Sequence, residues 1–542
     1  MIWASKTVAA LVITLTAWAA FVLPLYALSW RRIAKFAFLD PVWLPLWGAG
    51  LLSLILLVQA VAGAYRARDG LFAVDLAILA ALTAVATAVG WQLSQAGAGA
   101  AVRWMVRPGV ATIVVAAAVA AALQVVVGRT DPRRGHLALS GCLWGTTTAA
   151  LLMAVAFSSW VLSVGPNDLG VGPWGAQSTA SGSHVAFVGR VSRFGYLPFF
   201  VLNTETGTFD RIPLARLLGF TFSADGRRAA WVEAGEEPKL ALRRLDEPKA
   251  SVIRSPLRGF RVAPRLARLS PDGREAVVAT AERIAVVDTD SGREAASARL
   301  EQLGVDARSS VLHSRCAFVG DTVVGFFVPP PSTDQPLVIS TFDFRTGLVR
   351  HGPTVPGVEW VRAIRNGRAL VSGRNGPLTL VDGAGILRLL EPEPGLVLSS
   401  ATLLDGGEIV ALFRKGANGH FAKWDPEGKL LLDVPFPPQG TRGPAYGPPV
   451  FFGAEPQPGW IAVGLDDGRP SRTLFVSTAT GAILREEPGL LPAAARHMDQ
   501  ELPPGSPGAR LFIGDRGELV RLDPQTGRRE AVIVPPHPRR TD

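Results

Sequence analysis

Apolar residues are distributed differently in two parts of the chain. Up to residue 165 they form long uninterrupted runs, whereas from about residue 175 they form short, β-prone runs separated by turns. Five of the long runs reach the roughly 20 residues that a helix needs to cross the hydrocarbon layer of a membrane. They lie at about 7–29, 42–64, 71–93, 106–127 and 137–163. The pattern predicts an all-α bundle of five transmembrane helices followed by an all-β domain.

The charged residues support this division. The residues up to Gly165 carry a net charge of +7, out of +10 for the whole chain, and their basic residues lie between the apolar runs. Short basic loops between apolar runs are typical of a membrane protein and not of a nucleic-acid groove. We therefore expect the lipid bilayer as a partner, and no nucleic acid.

The first run predicts an uncleaved helix and not a signal peptide. It is longer than the apolar region of a signal peptide, and Arg31 and Arg32 follow it directly. The loop charges do not decide the orientation of the bundle. No Lys or Arg follows the fifth run before Arg190, and such a segment is easily translocated. We expect a protein of the bacterial inner membrane with an extracytoplasmic C-terminal domain.

Two kinds of turn recur in the second part of the chain. One precedes an apolar strand, as in "FTFSADGRRAAWVE" from Phe220 and "ARLSPDGREAVVAT" from Ala267. The other closes a later strand, as in "VVDTDSG" ending at Gly292 and "TFDFRTG" ending at Gly347. Asp can bond the backbone at the start of such a turn, and Gly supplies the positive φ at its end. Their alternation predicts repeated four-stranded antiparallel units of about 40 residues.

A four-stranded unit cannot cover both of its faces, and radial packing of such units produces a β-propeller. The units number eight, with seven blades and a distorted closure as the alternative, because the start of the last unit is irregular. They lie at about 175–215, 216–258, 262–303, 312–354, 357–394, 396–436, 446–488 and 497–535. The predicted domains are a transmembrane domain at 1–165, a linker at 166–177, a propeller at 178–535 and a tail at 536–542.

The "SADG" and "SPDG" phrases resemble those of TolB-type and other WD-repeat-like propellers. The resemblance is specific in two units and covers only the C-terminal two thirds of the chain. The phrases that end in "TG" also look like those of pyrroloquinoline-quinone propellers. The Trp that closes the repeat in that family is absent here, so we expect no cofactor.

The sequence contains no recognisable catalytic or metal-binding motif. It has no G-x-S-x-G elbow, its seven His are scattered singly, and Cys142 and Cys316 are far apart. Most carboxylates fall in the recurring turns, where they are expected to form the turn: Asp225, Asp272, Asp288 and Asp290. We expect no catalytic residue and no metal site.

The candidate binding residues lie in irregular insertions. The segment "VGRVSRFGYLPFF" at 188–200 places Arg190, Arg193, Phe194 and Tyr196 together, and "VPPPSTDQP" at 328–336 is long for a hairpin. Loops of this kind on a propeller carry recognition residues; contact with lipid headgroups is the alternative. The first functional hypothesis is a membrane-anchored binding or scaffold module for a protein or cell-envelope partner, without catalysis. The second is a hydrolase or lyase with its site in the central channel.

Overall fold

The computed structural model describes residues 163–535 with gaps, together with a few isolated residues between 119 and 156. The gaps lie at 191–197, 215–216, 236, 248–250, 258–259, 261–263, 281, 306–314, 328–334, 366, 374–377, 384–385, 391–394, 416–417, 438–449, 466–470, 494–501 and 503. The five predicted transmembrane runs and the tail at 536–542 lie outside these residues, apart from the isolated positions. Within the described part, no helix is both long enough and apolar enough to span a bilayer.

The described chain forms eight four-stranded antiparallel sheets, each built from four consecutive strands. The first strands are β1 (Val171–Ser178), β5 (Leu217–Phe222), β9 (Arg265–Leu269), β13 (Arg315–Val319), β17 (Trp360–Arg365), β21 (Val397–Leu403), β25 (Val450–Phe452) and β29 (Leu490–Pro492). The second strands are β2 (His184–Gly189), β6 (Arg228–Glu233), β10 (Glu275–Ala279), β14 (Thr322–Phe327), β18 (Arg368–Ser372), β22 (Ile409–Lys415), β26 (Trp460–Leu465) and β30 (Leu511–Gly514).

The outer half of each sheet continues the same order. The third strands are β3 (Pro198–Asn203), β7 (Lys239–Arg244), β11 (Arg283–Asp288), β15 (Leu337–Asp343), β19 (Leu378–Asp382), β23 (Asn418–Trp424), β27 (Arg472–Ser477) and β31 (Leu519–Leu522). The fourth strands are β4 (Phe209–Pro213), β8 (Ile253–Pro256), β12 (Glu294–Arg299), β16 (Val349–Val355), β20 (Ile386–Leu390), β24 (Leu430–Phe436), β28 (Ile483–Pro488) and β32 (Arg529–Ile533). A short helix α1 (Pro166–Leu169) precedes β1, and 3-10 turns lie at Glu301–Leu303 and Pro507–Arg510.

These sheets are the blades of an eight-bladed β-propeller, so eight blades are confirmed and the seven-bladed alternative is wrong. First strands of blades 1 to 7 neighbour one another in order around the axis, and second and third strands are mostly buried. The first strands are therefore innermost and line the central channel. Blade 8 begins with the short strand β29, ahead of the irregular segment where its start was expected. Residues 166–177, treated above as a linker, form α1 and most of β1.

The recurring turns have the structure that their sequence predicts. In blade 3, Ser270 Oγ donates to Asp272 Oδ1 at 2.8 Å and accepts from the Glu275 N–H at 2.9 Å. Gly273 closes the turn with φ of 70°. Asp225 and Asp288 accept backbone N–H groups in the same way, so the interpretation of these carboxylates as turn formers is confirmed. Asp290 instead pairs with Arg228 of blade 2 at 3.3 Å.

The two faces of the propeller differ in the connections that they carry. Because successive strands are antiparallel, links from first to second and from third to fourth strands lie on one face, called here the turn face. Links from second to third strands and links between blades lie on the other, called here the entry face, where the chain enters β1. Each first strand consequently runs from the entry face to the turn face.

The ring closes between blades 8 and 1 without a shared strand. A common core packs Phe187 and Phe200 of blade 1 against Leu511 and Leu519 of blade 8. Across this seam the Val171 N–H donates to the Gly517 carbonyl at 2.8 Å. Closure of the ring of blades therefore depends on side-chain packing and a few hydrogen bonds.

Candidate functional site: an arginine-bearing channel wall

The channel-lining strands carry charge of one sign only. Across the eight first strands, no residue is Asp, Glu or Lys. Five residues are arginine, and all of them lie on three consecutive blades: Arg265 and Arg268 on β9, Arg315 on β13, and Arg362 and Arg365 on β17. A cleft lined by one sign of charge with low-dielectric walls concentrates counter-ions. This set of five residues is named the arginine wall.

Arg362 is held rigidly on the wall. Its Nε donates to Ser372 Oγ at 2.8 Å, and its guanidinium lies 4.9 Å from the ring centre of Trp360. Burial lowers the pKa of Arg362, and the charge of neighbouring Glu359 opposes this shift. Within the described residues, no carboxylate lies at salt-bridge distance from its guanidinium. The group is therefore preorganised, charged and available to an oxyanion from outside the described chain.

Arg315 and Arg268 bring a second concentration of positive charge to the neighbouring blades. Burial lowers the pKa of Arg315, and the like charge of Arg268 lowers it further. Burial also raises the pKa of the adjacent Cys316 thiol to about 12, despite the opposing effect of Arg268. Cys316 thus stays protonated at neutral pH and is no thiolate nucleophile.

Arg365 ends β17 at the turn face and is already neutralised. It forms an ion pair with Asp405, and it donates to the carbonyl oxygens of Leu403 and Leu502, each at 3.2 Å. Lys423 and Glu408 pair nearby at 2.9 Å. This mouth of the channel therefore combines paired charges, in contrast to the wall around Arg362.

Glu455 is the perturbed carboxyl of the same mouth. Burial raises its pKa to about 7, while the charge of Arg365 opposes the shift and those of Asp405 and Glu408 add to it. A carboxyl with a pKa near 7 has the acidity that a general acid or base requires. Arg365 is the positive group that acts most strongly on it.

The described residues before β30 of blade 8 contact other blades at this mouth. The Gly505 N–H donates to the Glu455 carbonyl at 2.8 Å, and Arg510 Nε donates to the Pro456 carbonyl at 3.1 Å. On the other side, Ser178 Oγ of blade 1 donates to the Gly508 carbonyl at 3.2 Å. Leu502 and residues 504–510 thereby contact blades 5, 7 and 1 at the turn face.

One serine–histidine pair resembles a hydrolytic dyad but has the wrong tautomer. Ser183 Oγ lies 3.1 Å from His184 Nδ1, and Asn203 Nδ2 lies 3.3 Å from His184 Nε2. Asn203 Oδ1 accepts the N–H groups of Glu205 and Thr206, which fixes the amide orientation. Nε2 is therefore the acceptor and Nδ1 carries the proton. Burial and Arg243 lower the pKa of His184, so the ring is neutral and cannot take the serine proton through Nδ1.

The four binding residues expected from sequence are only partly placed. Arg190 is exposed directly after β2, with its N–H bonded to the Gly170 carbonyl at 3.1 Å. Arg193, Phe194 and Tyr196 lie outside the described residues, as do positions 328–334. No group of three or more His, Cys, Asp or Glu in the described part is placed to hold a metal ion.

Sequence reasoning missed the arginine wall. The available signal was the arginines just ahead of the first turn of a unit, as in "RLARLSPDG" and "WVRAIRNGR". The pattern becomes informative only once each first strand is known to line the channel.

Comparisons with known proteins found only weak similarity to this chain. No protein-family model matches the sequence, and no curated protein matches it. Among solved structures, an acylaminoacyl peptidase of Pyrococcus horikoshii is similar over 56% of this chain, at 13% identity and a TM-score of 0.37. The match spans only 50% of that peptidase.

Two further solved structures are similar to this chain at comparable identity and TM-score. The β-propeller domain of the Trilobed protease from Pyrococcus furiosus matches 59% of this chain and 98% of its own, with 12% identity and a TM-score of 0.37. A eukaryotic initiation factor matches 65% of this chain and 82% of its own, with 13% identity and a TM-score of 0.41.

Proposed function

We propose that this protein is a membrane-anchored binding module whose propeller recognises an anionic group in its central channel. The observation that carries the proposal is the arginine wall: five arginines and no acidic residue on the eight described first strands. A guanidinium presents a planar fork of donors that matches a carboxylate or a phosphate. The recognised group is an oxyanion of a cell-envelope component or of a partner protein.

The arginine wall combines the two properties that anion binding requires. Arg362 is oriented by Ser372 and Trp360, so little conformational entropy is lost when it binds. Arg315 is partly buried, so an ion pair with it is less screened by salt than one on the open surface. Arg365 would contribute least, because Asp405 already occupies it.

Titration calorimetry of the purified full-length chain with inorganic phosphate tests the proposal. We expect saturable binding that weakens about tenfold or more in Arg362→Gln and in Arg315→Gln, since each removes a charge-assisted hydrogen bond. Arg299→Gln is the matched control, because Arg299 is exposed on the outer strand β12. Absence of saturable binding, or equal losses in all three variants, would contradict the proposal.

The membrane anchor is the second part of the proposal and rests on the five apolar runs before residue 165. Their lengths suit helices that cross the bilayer, and the segment after them lacks basic residues up to Arg190. The propeller then lies outside the cytoplasm. Alkaline phosphatase fused after Asp542 should be active in bacterial cells, and the protein should stay in the membrane pellet after alkaline carbonate. An inactive fusion or carbonate release would refute this topology.

An enzyme is the second candidate function, and Glu455 is the observation that favours it. A carboxyl with a pKa of about 7 near Arg365 and Asp405 could transfer a proton in a hydrolase or lyase reaction. Release of 4-nitrophenol from its ester, phosphate and glycoside derivatives would be followed across pH. This candidate predicts a rate that depends on a group with pKa near 7 and is lost in Glu455→Gln. Equal rates in both proteins would exclude it.

A further inference from the structure

Trp360 is exposed at the entry-face end of the arginine wall. It is the first residue of β17, and its side chain keeps 41% of its surface exposed. Trp231 and Trp424, by contrast, are almost fully buried in blade cores. An exposed Trp on a channel-lining strand leaves a large apolar surface in water, which is unfavourable unless a ligand covers it.

The indole ring is fixed by its strand and by Arg362. Trp360 pairs with Ser372 in the β17–β18 ladder, and the same Ser372 accepts the Arg362 Nε at 2.8 Å. The guanidinium lies 4.9 Å from the ring centre, within the range of a cation–π contact. A cation can cover only one face of a ring, so the exposed surface belongs to the rest of the indole.

We propose that the channel ligand is a small aromatic oxyanion, whose flat ring stacks on Trp360 while its anionic group is bound by Arg362. This inference rests on the proposed function and specifies its ligand. A β-bulge between Val361 and Ala363 interrupts the alternation of side chains along β17. The 4.9 Å contact between the guanidinium and the ring nevertheless places both side chains on the same side of the strand. A ring covalently joined to a phosphate or carboxylate spans such a pair. Glu359, the carboxylate beside Arg362, disfavours an anionic group placed farther towards the strand start.

Stacking on Trp360 sets the expected difference in affinity between an anion with a ring and one without. Stacking of a flat ring on an aromatic side chain raises the affinity for the ring by about tenfold. Ten-fold in affinity corresponds to about 1.4 kcal/mol. We therefore expect the full-length chain to bind phenyl phosphate about tenfold more tightly than inorganic phosphate.

Calorimetric titration of the full-length chain with both anions tests this inference through the ratio of their affinities. In Trp360→Ala the ratio should fall to about one, and in Trp360→Phe most of it should remain. Val397→Ala is the matched control, because Val397 is the exposed first residue of β21, the first strand of the next blade. The control should keep the tenfold ratio.

The outcomes separate this inference from the proposed function. If wild type binds both anions equally, or if Trp360→Ala keeps the ratio, the aromatic ligand is refuted while anion binding stands. If neither anion binds, the proposed function itself fails.

Discussion

Substitution of Gly508 by Ala tests whether the contact between blades 8 and 1 holds the ring closed. A Cβ on Gly508 would overlap the Thr179 carbonyl oxygen and lie 2.8 Å from Ser178 Oγ. Relief of this overlap requires the segment to move away from blade 1. That movement breaks the hydrogen bond from the Gly508 N–H to Ala180, 3.0 Å long, and the bond from Ser178 Oγ, 3.2 Å long.

The expected loss of stability is about 3 kcal/mol. Two hydrogen bonds contribute about 1 kcal/mol each, and the crowding that remains after the segment has moved costs about 1 kcal/mol more. With an unfolding entropy of about 2.1 cal/mol/K per residue and roughly 360 residues in the propeller, this loss lowers Tm by about 4 °C. The effect should concentrate at the seam between blades 8 and 1.

Differential scanning calorimetry and hydrogen exchange of the full-length protein provide the measurement. Gly406→Ala is the matched control, because a Cβ there meets only Glu408 Cγ, at 3.9 Å. The control should change Tm by less than about 1 °C. Exchange in Gly508→Ala should accelerate in peptides from β1 and β30 before those from β21. A Tm shift no larger than that of the control, or uniform acceleration, would refute the proposed role of this contact.

Two further predictions concern carboxylates in different environments. Glu487 is buried between Arg485 Nε at 2.5 Å and Arg529 Nη2 at 2.7 Å. Glu487→Ala should lower the free energy of unfolding in urea by about 3 kcal/mol, and a change below about 1 kcal/mol would contradict this. For Glu455, burial raises the folded-state pKa to about 7, so the folded state binds the proton more tightly than the unfolded state. Stability should therefore fall as pH rises from about 4.5 to 7, and Glu455→Gln should flatten this dependence in thermal melts at pH 5, 6, 7 and 8; identical pH profiles would refute the assignment.

The turns and the blade count were predictable because their determinants are local. Ser270, Asp272 and Gly273 form a turn through contacts among residues a few positions apart, and the same phrase recurs in blade 2. The start of blade 8 was not predictable in this way. Its first strand, β29, has three residues and is followed by a long irregular insertion, so no period-2 pattern marks it.

The arginine wall could not be identified from sequence, because only the fold shows that its five arginines lie on channel-lining strands. Arg268 lies between Leu266 and Leu269 on β9. In a strand pattern, a charged residue among apolar ones predicts a position on the solvent-exposed side of an ordinary sheet. Only the radial arrangement of the blades places β9 beside the channel. The rotamer of Arg362 and its contact with Ser372 across β17 and β18 likewise require the register of the sheet.

The order of charges along the channel gives an anion a preferred direction of approach. Arg315 and Arg362 are the first and third residues of strands that begin at the entry face. At the turn face an anion first meets Asp405 and Glu455, and Arg365 there is already paired. Like charges raise the energy of that route, whereas the entry face leads directly to guanidinium groups. Neutralising Asp405 would therefore ease access from the turn face, but it would leave the affinity of the wall around Arg362 unchanged.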